Sequence, residues 1–170
     1  TLGTITTGFI GTVDKDGALN FYDGDIRLMK PDGSHEDFHD SAYLDYIGEH
    51  VTDVSYGKYP YAKSWNEGFS TDLDDPKGIY RSNCLARINV CDHISTPLAQ
   101  AELEEFRSKF GRPAQHTLLY HWARLIELVY ACEKTLELLQ DKAICGKETR
   151  IEVTPKAGRG VGHVEAPRGT

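Results

Sequence analysis

The sequence has no Cys-x-x-Cys pair, a single Met, and no apolar run near the ~18 residues needed to span a bilayer. Without paired cysteines, neither a zinc ribbon nor a thioredoxin-like redox couple is written here. Without a long apolar run, an integral membrane protein with a membrane span is excluded. The 19 Lys and Arg are scattered and outnumbered by 26 Asp and Glu, for a formal charge of −7. No basic stripe is left to neutralise phosphates, which excludes a general nucleic-acid binder. No charged-then-apolar leader follows Thr1-Leu2-Gly3-Thr4, so no secretion signal is visible. The four cysteines, 84, 91, 132 and 145, are then expected to be reduced thiols of a cytoplasmic protein. The first residues include no Met and the last have no cap or polar tail, and the chain is expected to be a piece of a longer protein.

What is present describes an ordinary globular chain: 39% hydrophobic and 26% charged residues over 170 positions. At that length roughly 70% of the unfolded surface is buried on folding, enough for one core. The pattern predicts an α+β fold in four stretches. Residues 1–40 read as a small antiparallel meander. Phe9–Val13, Ala18–Tyr22 and Ile26–Lys30 are apolar runs separated by turns containing Asp16-Gly17 and Asp23-Gly24, and Pro31-Asp32-Gly33 closes the set. Residues 41–95 hold a short helix, Ser41–Gly48, and then an extended connection anchored by Tyr56, Tyr59, Tyr61, Trp65 and Phe69.

Residues 96–145 read as the helical, bundle-like segment. Thr96-Pro97 starts one helix, which stops at Gly111. The next spans about Gln115 to Leu139, with Leu118, Trp122, Leu125, Val129, Cys132, Leu136 and Leu139 expected on its buried face. Such a helix is about 37 Å long, more than a domain of this size needs for itself, so further packing partners or self-association are expected. Cys132 on that face reads as a small buried thiol. Residues 146–170 read as a glycine-rich C-terminal strand ending in Glu165-Ala166-Pro167-Arg168-Gly169-Thr170.

Several short motifs carry chemistry on paper. His35-Glu36-Asp37-Phe38-His39 matches the His-Glu-x-x-His pattern of zinc peptidases, which need both histidines on one face of a rigid helix. Here a polar Pro-Asp-Gly-Ser turn precedes them, and the segment reads as a solvated acidic bend. Gly158-Arg159-Gly160-Val161-Gly162 has neither the glycine spacing nor the following helix of a dinucleotide loop. His116 and His121, five apart, do not share a helix face cleanly, and capping or partner contacts suit them better than a metal. Arg168 is different. Pro167 and Gly169 flank it with a stiff, narrow backbone, so it is either a buried ion-pair anchor or a fixed cation aimed at a reacting centre.

Taken together, blocks along the chain resemble one family. They are Gly11–Leu19, Tyr43–Glu49, Leu85-Ala86-Arg87-Ile88-Asn89-Val90-Cys91-Asp92, Thr96–Ala99, Tyr120–Glu127, Gly160–Gly162 and Glu165–Thr170. In this order they are similar to the large subunit of nickel–iron hydrogenases, most of all its soluble, bidirectional, NAD-reducing branch. The resemblance implies a nickel-dependent oxidoreductase acting on dihydrogen. Its nickel–iron centre carries carbon monoxide and cyanide and is held by two Cys-x-x-Cys pairs. It also implies a small-subunit partner with iron–sulfur clusters. Neither cysteine pair is present, so the resemblance implies a central fragment, inactive alone, with no metal ligand of its own. The residues carried over are Arg168, matching the family's arginine over the metal pair, and Pro167, matching the proline lining the diatomic ligands. The family's Gly-Pro-Leu-Ala-Arg stands here as Asn83-Cys84-Leu85-Ala86-Arg87. The other reading is a non-catalytic module of the same fold, akin to the quinone-side subunit of respiratory complex I.

Overall fold

The run Gly8–Val13, buried along its whole length, is strand β1 of a four-stranded sheet in the computed structural model, which describes residues 3–170. Antiparallel β2 (Asp25–Met29) lies on one side of it, followed by β3 (His35–Phe38); β6 (Tyr80–Arg81) runs parallel on the other, giving the order β3-β2-β1-β6. Because side chains alternate along a strand, β1 serves two cores. Phe9 and Val13 point to the helices α2 (Cys84–Val90), α3 (Pro97–Phe110) and α4 (Leu119–Gln140), where they meet Leu85, Ile88, Leu103, Phe106 and Ile126. Ile10 points the other way, into Ile26, Leu28, Phe38, Ala62 and Trp65. Each such side chain contributes about 1.5–3 kcal/mol of burial. On the helix side, α2 lies against β1 so closely that a Cβ at Gly11 would sit 2.8 Å from Val90.

The α+β class stands, with differences inside it. Ala18–Tyr22, expected as a strand, makes only isolated bridges through Ala18 and Leu19. His35–Phe38, expected as a solvated bend, is β3. The short helix is four residues, α1 (Tyr43–Tyr46), and gives way to a separate hairpin of β4 (Ile47–Thr52) and β5 (Ser55–Ala62) where a connection was expected. Phe69 packs on His50, Tyr59 and Tyr61 of that hairpin, which explains the aromatic density of the stretch. The C-terminal stretch forms no strand: beyond Cys145 the chain has only the bridge between Ala166 and Gly169.

Two further departures concern helices. α2 shows no amphipathic period because every one of its residues is buried. α4 is present but rotated from its expected face. It buries Ala123, Ile126, Glu127 and Tyr130, while Leu118, Leu125, Cys132, Leu136 and Leu139 are exposed. The residues that anchor it include small Ala123 and charged Glu127, which a count of large apolar side chains passes over.

The C-terminal end of α2 is held by three arginines, which donate to carbonyls that the helix leaves unpaired. Arg107 reaches Ile88, Cys91 and Asp92, Arg112 reaches Asn89 and Val90, and buried Arg27 reaches Val90. Arg27 also grips Asp37 with two 2.7 Å bonds and Asp92 with one of 2.8 Å. Partial burial works against the charge of Asp92, but its hydrogen bonds to Arg27 and Arg112 outweigh that and hold its pKa below 3.8. A carboxyl lowered on folding contributes stability that is complete above its unfolded pKa and is lost as pH falls through the folded value. Asp92→Asn should therefore destabilise the protein at pH 7, and the gap to wild type should close below pH 3.8. Denaturant titrations at both pH values read this; an equal gap at both would contradict it.

Candidate functional site

Arg87, on α2, is 3% exposed and sits where the C-terminal stretch meets the helices. Its Nε and Nη2 donate to the two carboxylate oxygens of Glu127 on α4, at 2.6 and 2.9 Å. Its Nη1 donates to Glu165 Oε1 and to the carbonyl of Ala166, both at 2.9 Å, and Nη2 reaches the Pro167 carbonyl at 3.5 Å. The ring of Phe21 lies beneath the guanidinium, 5.3 Å from its carbon to the ring centre. Arginine suits this place because its planar fork satisfies a carboxylate with two bonds and still has donors to spare.

Glu165 spreads the contact further. Its Oε2 accepts from the backbone N–H of Thr12 on β1 at 3.0 Å and from the Thr170 hydroxyl at 2.6 Å. Its side chain is 1% exposed. Burial works against the charge on Arg87, but the hydrogen bonds and charges of Glu127 and Glu165 outweigh it and raise its pKa. Burial pushes the Glu127 carboxyl upward, opposed by Arg87. Removing one partner of such a buried pair typically costs about 3–5 kcal/mol.

Between Glu165 and Thr170 the chain makes a tight turn. Ala166 and Gly169 exchange backbone hydrogen bonds of 3.2 and 2.8 Å, which leaves Pro167 and Arg168 at the tip. Gly169 has φ +123°, and a Cβ there would lie 2.3 Å from that of Ser82, so the position admits glycine alone. Ser82 Oγ donates to the Arg168 carbonyl at 3.1 Å, and the Tyr120 hydroxyl donates to the Ser82 carbonyl at 2.9 Å. The backbone of Arg168 is thus held while its side chain is exposed. Among the described residues its guanidinium makes no hydrogen bond or ion pair. Exposed Arg168 is therefore not a buried ion-pair anchor. Beside the turn lies a cleft of about 260 Å³ lined by Phe21, Asn83, Arg87, Arg124, Glu127 and Pro167.

The other candidates fall elsewhere. His35 is exposed at the start of β3, and His39 faces its neighbour Asp40, at 2.9 Å, and Ser41. Arg159–His163 line a shallow cleft together with Ile10, Ile26 and Tyr80, and His163 there reaches Asp40 at 3.4 Å. His116 Nδ1 meets the Thr4 hydroxyl, and His121 is exposed. Cys84 and Cys91 are buried, and Cys132 and Cys145 are exposed. Among the described residues no group of three or more His, Cys, Asp or Glu could hold a metal ion. The residues here therefore do not fit a nickel–iron centre. No described helix is long and apolar enough to cross a membrane.

Against this geometry, comparison with known proteins is informative. No family model matches. One subunit of the F420-non-reducing hydrogenase vhu of Methanococcus voltae is 51% identical over 99% of this chain, which covers 38% of that protein. The beta subunit of the NAD-reducing hydrogenase HoxS of Cupriavidus necator is 38% identical over 93% of this chain and 32% of its own length. The crystal structure of an NAD+-reducing [NiFe]-hydrogenase in the H2-reduced state superposes with a TM-score of 0.83. It is 35% identical, over 98% of this chain and 36% of that one. The chain is similar to hydrogenase subunits. It spans about a third of their length.

These relatives correct the expectation drawn from the resemblance. That expectation was a central fragment of a nickel-dependent large subunit. Relatives such as a vhu hydrogenase subunit and the HoxS beta subunit, neither of them named a large subunit, align instead with nearly the whole of this chain. The large-subunit-fragment assignment gives way to the coarser statement, similarity to subunits of these two hydrogenases. The NAD-reducing branch is likewise not singled out, since the F420-non-reducing relative is the more similar of the two.

Sequence reasoning passed over Arg87, Glu127 and Glu165. One signal is available: Arg87 sits among Leu85, Ala86, Ile88 and Val90, and an arginine in such apolar company needs a carboxylate partner. Thiol chemistry offers a direct check on the site's surroundings. Burial raises the Cys84 thiol and pushes Cys91 up to about 11. At pH 8, an aromatic disulfide reagent should titrate Cys132 and Cys145 rapidly, and Cys84 and Cys91 only after denaturation. Four fast thiols would contradict the burial of the α2 region.

Proposed function

We propose that this chain is the stretch of a hydrogenase subunit that presents Arg168, with Pro167 beside it, as a fixed cation at the site where dihydrogen reacts. The observation that carries this reading is a guanidinium left free at the tip of a turn whose backbone is held by Arg87, Ser82 and the Gly169 close approach. Arg27, Arg81, Arg87, Arg107 and Arg112 spend their donors on internal partners; among the described residues Arg124, Arg150 and Arg159 are unpartnered too, so what sets Arg168 apart is its held turn and not its free side chain alone. Similarity to subunits of two hydrogenases supports the reaction class. The reacting centre is then held by protein outside this stretch.

Splitting dihydrogen into a proton and a hydride separates charge within a confined site. A guanidinium is too weak an acid to exchange protons at neutral pH, so its contribution is electrostatic: a preorganised positive charge that does not need to reorient as the reaction proceeds. Proline before it removes a backbone donor and stiffens the approach. Other hydrogenase subunits are the partners this reading requires. The exposed row Leu125, Cys132 and Leu139 on α4, continued by Leu118 at its N-cap, supports packing against further protein of such an assembly.

The test is Arg168→Lys in the assembled hydrogenase. Lysine keeps the charge but carries it on a flexible stem without the planar fork, so the charge is no longer preorganised, and loss of a preorganised group typically costs about 10²–10³ in kcat. A fall of that order in dihydrogen oxidation, with assembly intact, is the expected outcome. Activity within twofold of wild type would refute the reading.

A further inference from the structure

We infer that Arg87 is the positioning residue of this site: it sets where Arg168 points by clamping both the carboxylate and the carbonyls that begin its turn. The inference rests on the role proposed for Arg168 and adds the device that fixes it. Three acceptors of the turn segment meet this one guanidinium, namely Glu165 Oε1, the Ala166 carbonyl and the Pro167 carbonyl immediately before Arg168. The plane of the guanidinium is fixed independently, by the two-pronged bond to Glu127 on α4 and by the ring of Phe21. Orientation therefore passes from α4 through Arg87 to the turn.

The opposite side of the turn is held from the same short helix. Asn83 caps α2 through its side chain, and the residue before it, Ser82, binds the Arg168 carbonyl and packs on Gly169. Asn83 adopts φ +79°, an unusual conformation for a non-glycine residue, which brings Ser82 round to face the turn. Ser82 and Arg87 thus grip the turn from either side of one helical unit, itself packed on β1. A displacement of about 1 Å at a reacting centre can cost 10²-fold in rate. Lysine at position 87 could not reproduce the hold. Its ammonium has three donors and no plane, against a site that uses a carboxylate fork, a second carboxylate and two carbonyls.

The experiment is a double-mutant cycle in the assembled hydrogenase, with Arg87→Lys and Arg168→Lys made singly and together, reading kcat and KM for dihydrogen. If Arg87 acts through Arg168, Arg87→Lys lowers kcat about 10- to 100-fold in the wild-type background, leaves KM within twofold, and lowers kcat less than twofold further in the Arg168→Lys background. A purely structural Arg87 would lower kcat by the same factor in both backgrounds, and that result overturns the inference while leaving the role of Arg168 intact. An Arg168→Lys enzyme of full activity would instead remove the proposed function, and this inference with it. Should Arg87→Lys fail to assemble, Glu165→Gln, which keeps the shape and removes the charge, goes through the same cycle. Equal factors in both backgrounds again overturn it.

Discussion

A buried guanidinium joining two carboxylates is the interaction on which the arrangement of this protein depends. Arg87 is nearly inaccessible, and it faces Glu127 from one helix and Glu165 from the C-terminal stretch. Taking one positive and two negative charges out of water is costly, and a well-packed apolar cluster would serve stability as well or better. What apolar side chains could not supply is direction. The fork of Glu127 fixes the plane of Arg87, and that plane fixes where the next donors point. The stretch from Glu165 to Thr170 is drawn onto α2, α4 and β1 at once.

That cost is carried by a scaffold built to be stiff around it. β1 is buried on both faces, so helices lie on one side of it and the hairpin base and Trp65 on the other. α2 sits directly on β1 at Gly11, and the arginines 27, 107 and 112 close its far end. A helix of seven residues has little stability of its own. Here it is fixed at both ends and along its length, which makes it a suitable place from which to hold a turn. The cleft beside the turn is small, and the elements with exposed apolar surface, α4 and the hairpin of β4 and β5, lie around this rigid centre.

Legibility in the sequence followed the physics of each element. β1 and β2 could be read from apolar runs bounded by Asp-Gly turns, and α3 from its Thr-Pro start and glycine stop. α2 was invisible because periodicity marks helices with one wet face, and α2 has none. The period of α4 marks a helix, but large apolar residues point to the wrong face, because small Ala123 allows close approach and Glu127 answers Arg87. The glycine-rich tail has the composition of a strand, yet its end is held by side chains and a turn and not by a ladder. Arg168 could be singled out from Pro167 and Gly169 alone. Its orientation could not, because that depends on a carboxylate and a guanidinium 78 positions apart in the chain.

Amide hydrogen exchange on the assembled protein, comparing wild type with Arg87→Lys, reads the hold of Arg87 on the turn directly. The amides of Thr12, Ala166 and Gly169 are each hydrogen-bonded within or against the turn. If Arg87 holds it, all three exchange slowly in the wild type and much faster in the variant, while amides in the middle of α3 keep their protection. Unchanged protection of the turn in Arg87→Lys would contradict the account, for it would mean that the turn holds its place without the guanidinium.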